Sequence, residues 1–315
     1  MSSYTPEALR ECHRKILTYI HKTPVLTSHL LNELTGASLF FKCENFQKGG
    51  SYKMRGATHA TLLRNEEGPF PGVVTHSSGN FAQALSLAAQ SLNIPAYIVM
   101  PKNAPGVKKR AVAQYGGSVF ECEPTLEARE EEAERIGKET GAVFIHPSND
   151  PGVMLGQGTA ALELLEDVDA LDHIVAPVGG GGLLGGTALA SVFFGGHCEP
   201  IGAEPLVVDD AYRSLKAGRI LGNESTDTIA DGLKTVLGSY TFPVIQQHVR
   251  TIIRVTEDEI IQAMHLIWER MKIVVEPSSA VALAAVFKDP ERFEGKRVGI
   301  VISGGNVDLT NLPFA

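Results

Sequence analysis

Short β-branched runs alternate with longer helical stretches through most of this chain, and that rhythm limits its possible folds more than any other feature. Nine runs read as strands: 39–43, 72–77, 96–100, 118–122, 142–145, 173–178, 200–204, 251–256 and 297–303. Between them the spacing predicts helices over 52–65, 80–92, 125–140, 157–166, 183–194, 257–271 and 278–287. Neighbouring strands joined through a helix run the same way, so the chain reads as α/β with open, twisted, mainly parallel sheets flanked by helices. With 315 residues, and about 150 per domain, two domains are expected. The block 72–149 holds four strands with helices between them, enough for a small sheet of its own. Residues 1–71 and 150–315 then form a larger, discontinuous domain around it.

Charge narrows the partners. Twenty-eight basic against 36 acidic residues leave −8 at neutral pH, with no basic stripe to neutralise phosphates, so nucleic acid is not an expected partner. No apolar run approaches the roughly 18 residues of a membrane span. The start, MSSYTPEALRECHRK, lacks the apolar stretch of a secretion signal, and a cytoplasmic location is expected. Cys12, Cys43, Cys122 and Cys198 are scattered without CxxC spacing, which speaks for reduced thiols rather than disulfides or zinc. Glycine is frequent, at 32 residues, and its clusters carry the chemical signal.

Four constellations stand out. Gly179, Gly180, Gly181 and Gly182 lie between a strand and a helix, where bare backbone N–H groups and the helix dipole suit a phosphate; a plain flexible turn is the simpler alternative. Neither a Walker A lysine nor a dinucleotide-type acidic residue follows. Lys53 sits near a predicted helix start, where the dipole lowers an amine's pKa and favours a Schiff base, although most helical lysines are simply solvated. Thr75-His76-Ser77-Ser78-Gly79-Asn80 is another strand–turn–helix junction, readable as a helix cap or as N–H groups that hold a carboxylate. Ser303, in ISGGNVD, falls at the C-terminal end of the last strand, where ligands of open parallel sheets collect.

Together with KTPVLTS, LFFKCENFQKGGSYKMRGA, AYIVMPKNAP, LGQGTAALELLE, GGGGLLGG, TIADGL and VEPSSAV, in this order and spacing, these motifs resemble the fold type II pyridoxal-phosphate enzymes, the tryptophan synthase β-like family. Within it the likeness is to serine racemases and the short catabolic serine/threonine dehydratases. The resemblance implies pyridoxal 5′-phosphate held by Lys53 as a Schiff base, with Gly179 to Gly182 and Leu183 around its phosphate. Asn80 is implied at the ring 3-oxygen and Ser303 at the ring nitrogen. A hydroxyl there makes the ring a weaker electron sink than a carboxylate would, which suits elimination and racemisation better than transamination.

By the same likeness Ser77, Ser78 and Gly79 receive the substrate, and Arg129 reaches its carboxylate when the small, mobile domain closes. Ser78 matches the serine that works opposite the lysine in racemases. Glu204, Asp210 and the Val208 carbonyl match a Mg²⁺ or Ca²⁺ site. Lys48, Gln83, Tyr115, Lys272 and Asn306 match an ATP effector site at a homodimer interface, although His29 replaces a serine there. Phe81 also departs from the usual histidine of SSGNH, and no regulatory domain is expected after Ala315. The resulting expectation is a homodimeric serine racemase, acting on a small hydroxyamino acid, with accompanying dehydration of L-serine to pyruvate and ammonia. Two alternatives stand beside it: a 3-hydroxyaspartate or threonine ammonia-lyase with little racemisation, and a catalytically silent protein that keeps the cofactor.

Overall fold

Ten strands form two sheets in the computed structural model, which describes residues 4–68, 70–104 and 106–314. They are β1 Val25–Leu26, β2 Ser38–Cys43, β3 Val73–His76, β4 Ala96–Pro101, β5 Gly117–Cys122, β6 Val143–Phe144, β7 His173–Pro177, β8 Glu199–Pro205, β9 Thr251–Val255 and β10 Arg297–Ile302. The larger sheet has the order β1-β2-β10-β7-β8-β9 and is parallel except for the edge strand β1. The smaller, β5-β4-β3-β6, is wholly parallel and comes from the segment 73–144. All nine strands read from the sequence are present, and the fold is that of the two-sheet α/β class expected.

The helices are α1 Pro6–Ile16, α2 His29–Thr35, α3 Lys53–Glu66, α4 Asn80–Ser91, α5 Gly106–Gln114, α6 Leu126–Thr140 and α7 Pro151–Asp167. They continue with α8 Gly182–Phe194, α9 Asp210–Ala217, α10 Thr241–His248, α11 Glu257–Leu266, α12 Pro277–Lys288 and α13 Pro290–Phe293. Two sequence expectations need correction. The helix read from 157 begins at Pro151, because the Asp150 carboxylate takes the Val153 N–H and proline occupies the first turn, where no N–H is needed. The helix read over 257–271 is α-helical only to Leu266. It widens into a π turn over Ile267–Met271 and stops at Lys272, whose φ is +59°.

Helices α3, α7 and α8 cross at backbone contact. A Cβ on Gly156 would lie 2.5 Å from Gly56 Cα, and one on Gly186 2.5 Å from Gly158 N. Only glycine permits these crossings, which accounts for the GQG and GG pairs. Gln157, between its two glycines, accepts the Gly56 N–H with its side chain at 3.1 Å.

Beneath this crossing lies a cluster of buried charge. Arg55 donates two bonds to Glu44 (2.7 and 2.8 Å), two to Glu163 (both 2.8 Å) and one to Thr159 (3.2 Å). Lys42 adds an ion pair to Glu163 at 2.6 Å and donates to the Thr23 carbonyl. All four charged side chains are inaccessible to water. Burial would raise the Glu163 pKa, but bonds from His13 and Arg55 and the charges of Arg55 and Lys42 hold it well below the carboxylate range. Replacing Arg55 by Leu would leave Glu44 buried without a counter-charge and Glu163 with Lys42 alone. We expect Arg55→Leu to cost about 3–5 kcal/mol, seen as a lower urea midpoint; an unchanged midpoint would show that the carboxylates repair themselves by protonation.

Candidate active site

Parallel strands deliver their C-terminal ends to one edge of a sheet, and there the chain converges. Strand β2 ends at Cys43 and leads through two short turns to Ser51, which forms an isolated bridge with Gly304 beyond the end of β10. The Tyr52 N–H donates to the Ser303 carbonyl at 3.0 Å, so Lys53 and Ser303 are fastened side by side. Lys53 Nζ donates to the Pro147 carbonyl at 2.8 Å and lies 5.1 and 5.8 Å from the centres of the Tyr52 and Phe81 rings. Loss of water pulls its pKa down to about 8, against an opposing pull from the Glu276 charge. Phe81 is fully buried in the core under the small sheet and forms part of the apolar wall beside this amine.

Gly179 to Gly182 turn from β7 into α8, with Gly181 left-handed at φ +84°. A Cβ on Gly180 would lie 2.2 Å from Ser148 Oγ, and one on Gly179 2.9 Å from Leu233 Cα. The amides of Gly179, Gly180 and Gly181 are buried, yet none finds an acceptor among the described residues. Unmet buried N–H groups are costly, and a dense cradle of them calls for an anion. Ser148, Thr235 and Thr241 close the walls of this turn; the sequence reading passed over all three.

Ser77, Ser78 and Gly79 join β3 to α4, half-buried. The helix-cap alternative for Ser78 does not hold. Helix α4 has no side-chain cap, the Gly79 N–H goes to Ser77 Oγ at 3.3 Å, and the Ser78 hydroxyl has no hydrogen-bond partner among the described residues. Asn80 Nδ2 faces both oxygens of Glu276 (3.0 and 3.1 Å), while its Oδ1 accepts from Asn306 at 2.9 Å. Burial, then the charge of Asp231, pushes Glu276 up to about 7, with the bonds from Asn80 and Asn306 pulling the other way. His146 and His76 flank the cleft with edge-on rings 5.9 Å apart. Burial holds both neutral, with pKa values pushed down to about 4. Arg129 Nε bonds back to the Thr125 carbonyl at 3.2 Å, and its charge is felt at His76, next to the serine turn.

The chain matches the family described as pyridoxal-phosphate dependent enzymes over residues 16–304. It belongs to that family. It is 50% identical to a β-hydroxyaspartate dehydratase from Paracoccus denitrificans (strain Pd 1222) over 310 residues, 98% of each chain. It is likewise 50% identical to a serine racemase from Dictyostelium discoideum over 316 residues, covering 99% of this chain and 98% of that one. The crystal structure of serine racemase from Dictyostelium discoideum superposes with a TM-score of 0.93 at 50% identity, covering 98% and 100% of the two chains. The site fits the family's cofactor: an amine stripped of water, a nest of unmet buried amides, and a Ser303 hydroxyl whose one partner among the described residues is Ser279.

Two further sets expected from the family resemblance have different settings. Glu204 accepts the N–H groups of Ala211 and Tyr212, each at 3.0 Å, and so caps α9. Asp210 accepts from Leu237 N at 3.1 Å, and its other oxygen is buried with no hydrogen-bond partner among the described residues. Burial pushes Glu204 up to about 9 and Asp210 to about 6. Among the described residues no cluster of three or more His, Cys, Asp or Glu side chains forms a metal cage. Of the nucleotide set, Asn306 is drawn into the Glu276 network and bonds the Gly49 carbonyl at 2.8 Å. Lys48, Gln83, Tyr115 and Lys272 share no hydrogen bond with one another among the described residues, and His29 stands exposed 3.5 Å from Glu33.

Glu276 sets a pH dependence. Its folded pKa lies above its unfolded one, so its contribution to stability is full below about 4.5 and is lost as pH rises through about 7. The Glu276→Gln variant should lose that slope, which amounts to a few kcal/mol at most by about 1.4 kcal/mol per pH unit. Melting temperatures from pH 5 to 8 test this; parallel curves for wild type and variant would show that Glu276 stays ionised.

Proposed function

We propose that this chain is a serine racemase that also dehydrates L-serine to pyruvate and ammonia. The observation that carries the reading is Ser78, whose hydroxyl is spent on no cap and no neighbour among the described residues and follows a strand of the other sheet than the one to which Lys53 is fastened. Pyridoxal phosphate, when bound, withdraws electrons from the α-carbon of an amino acid and so acidifies its α-hydrogen. The amides of Gly179 to Gly182 and Leu183 would hold its phosphate, with Ser303 Oγ as the partner of its ring nitrogen and the Asn80 side chain as the partner of its 3-oxygen. The Ser78 N–H, which gives no hydrogen bond among the described residues while those of Ser77 and Gly79 go to the Val99 carbonyl and Ser77 Oγ, would hold the substrate carboxylate, joined by Arg129 once the mobile 72–149 domain closes. Lys53 Nζ, with its lowered pKa, takes the α-proton on one face. Ser78 Oγ returns or removes a proton on the other. Two opposed groups invert the centre, whereas elimination of the hydroxyl needs one.

An ammonia-lyase for 3-hydroxyaspartate or threonine is the second reading, favoured by the equal identity to the Paracoccus dehydratase. Chiral analysis of the products from L-serine, beside a pyruvate assay, separates the two. Wild type should yield D-serine and pyruvate. Ser78→Ala should lower D-serine formation by on the order of 10²-fold or more, keep pyruvate formation from L-serine, and leave the melting temperature unchanged because no cap is lost. Wild type that never makes D-serine would replace the racemase by the lyase.

We extend the proposal to a homodimer and to one Mg²⁺ or Ca²⁺ held by Glu204, Asp210 and the Val208 carbonyl. Its support is the partnerless buried oxygen of Asp210 beside a second buried carboxylate. For ATP as an effector at Lys48, Gln83, Tyr115, Lys272 and Asn306 the support is the family resemblance alone, and Asn306 already gives its amide hydrogens to Gly49 and Asn80. Chelator-stripped protein should gain about 2.7 kcal/mol of stability with Mg²⁺ or Ca²⁺ at a hundred times its Kd. Glu204→Gln should abolish that gain, and a stripped wild type whose melting temperature ignores both ions would remove the cation from the reading.

A further inference from the structure

Residues 145–150 carry the chain from β6 of the four-stranded sheet into α7. Within this turn His146 Nδ1 accepts two backbone N–H groups, from Ser148 at 3.1 Å and from Asn149 at 2.8 Å. A ring nitrogen that accepts carries no hydrogen, so the neutral imidazole holds its one hydrogen on Nε2. Burial keeps the ring neutral, and the charges of His76 and Lys53 act in the same direction. The rings of His76, at 5.9 Å, and Phe144, at 6.2 Å, meet it edge-on and set its plane.

The residues that this imidazole pins all reach the site. Pro147 gives its carbonyl to Lys53 Nζ at 2.8 Å and is the sole hydrogen-bond partner of that amine among the described residues. Ser148, buried, packs its side chain against Gly180 of the glycine turn. Asn149 accepts the Tyr240 N–H at 2.7 Å and donates to Ser239 Oγ at 3.3 Å, which ties the far end of the turn down.

We propose that His146 is a positioning residue for Lys53: its Nδ1 folds the 145–150 turn so that the Pro147 carbonyl meets the lysine amine. The proposal rests on the reading of Lys53 as the base that takes the α-proton. Whenever the amine is not bonded to the cofactor, one N–H on that carbonyl fixes the nitrogen and turns its lone pair away from the oxygen, free for the α-proton. The same carbonyl accepts from the ammonium once the proton is taken, which raises the amine's proton affinity. The charge that acts on Lys53 beside it is Glu276, and Arg129 acts on His76 behind the imidazole. Without Nδ1 the Ser148 and Asn149 N–H groups lose their acceptor and the carbonyl between them is no longer held. An asparagine side chain accepts the N–H two residues on in the same manner, which supplies a conservative replacement.

The test uses holoenzymes carrying His146→Leu and His146→Asn, read by D-serine and pyruvate formation from L-serine, by the pH profile of kcat, and by melting temperature. His146→Leu should lower both products together, by up to about 10²-fold, the scale of a misplacement near 1 Å, because Lys53 serves both reactions. The acid limb of kcat should move to lower pH, since the amine loses an acceptor that favours its charged form. His146→Asn should bring rate and limb back toward wild type. If leucine prevents folding, His146→Ser takes its place; a hydroxyl makes the same turn more weakly and should give an intermediate rate and limb. A folded His146→Leu variant with wild-type rate and limb would overturn the proposal, as would a folded His146→Asn variant that restores neither. A fall confined to D-serine would set His146 beside Ser78 rather than Lys53 and overturn it too. Wild type that makes no D-serine would remove the racemase reading alone, since pyruvate formation and its acid limb still test His146.

Discussion

Arg55 has five N–H donors, and in this chain every one ends on a buried acceptor, four on Glu44 and Glu163 and one on Thr159. With Lys42 the group carries two positive and two negative charges, so it is neutral as a unit and tolerable without water. Its partners come from the end of β2, from α3 and from α7, elements far apart in the chain, and none can shift without exposing a charge to an apolar interior. Lys53 sits two residues before Arg55. Two residues on a helix turn the side chain by about 200°, so locking Arg55 into the interior aims Lys53 at the opposite side, toward the cleft. The rigid placement of the amine thus follows from a salt-bridge cluster that never touches the ligand.

A parallel sheet adds the second constraint. The loops that carry Ser303 and Gly179 to Gly182 leave adjacent strands, β10 and β7, at the same edge, and the path from β2 to Lys53 leaves from the other side of β10. The edge therefore gathers an amine, a hydroxyl and a set of free amides before any ligand is considered. The carboxylate it places there is Glu276, whose proton affinity is raised by burial and by the charge of Asp231. The site is built to receive an anion and to keep an amine partly uncharged, two demands that the same withdrawal of water meets.

How much of this was legible in the sequence depended on the range over which the signal acts. The strands were legible because β-branched runs are local. The junctions at Lys53, Gly179 and Ser303 were legible because a turn declares itself in four or five residues. Helices α1, α2, α5, α9, α10 and α13 were missed; all but α1 have fewer than ten residues, and tertiary packing supplies what their periodicity lacks. Glu276 and Ser279 escaped notice because their partners, Asn80 and Ser303, lie 196 and 24 positions away. A faint signal existed: Ser278 and Ser279 interrupt an otherwise apolar run, and a buried helix keeps a hydroxyl only where it has a partner. Arg55 gave no signal, since an arginine in a helix is ordinarily on the surface.

The division into two sheets bears on which product the chain makes. Lys53 is tied to the six-stranded sheet through Ser51–Gly304 and Tyr52–Ser303, whereas Ser78 follows β3 of the four-stranded one. Few polar links bridge the two at this edge, among them Asn80 to Glu276 and the Lys108–Asp231 ion pair at 2.9 Å. On the proposed reading, elimination from L-serine draws on the lysine of one sheet, while racemisation needs a group from each at once. Any change in the spacing of the sheets then moves Ser78 relative to the α-carbon and leaves Lys53 where it was. The ratio of D-serine to pyruvate becomes a measure of how closely the sheets approach, and the total consumption of L-serine does not.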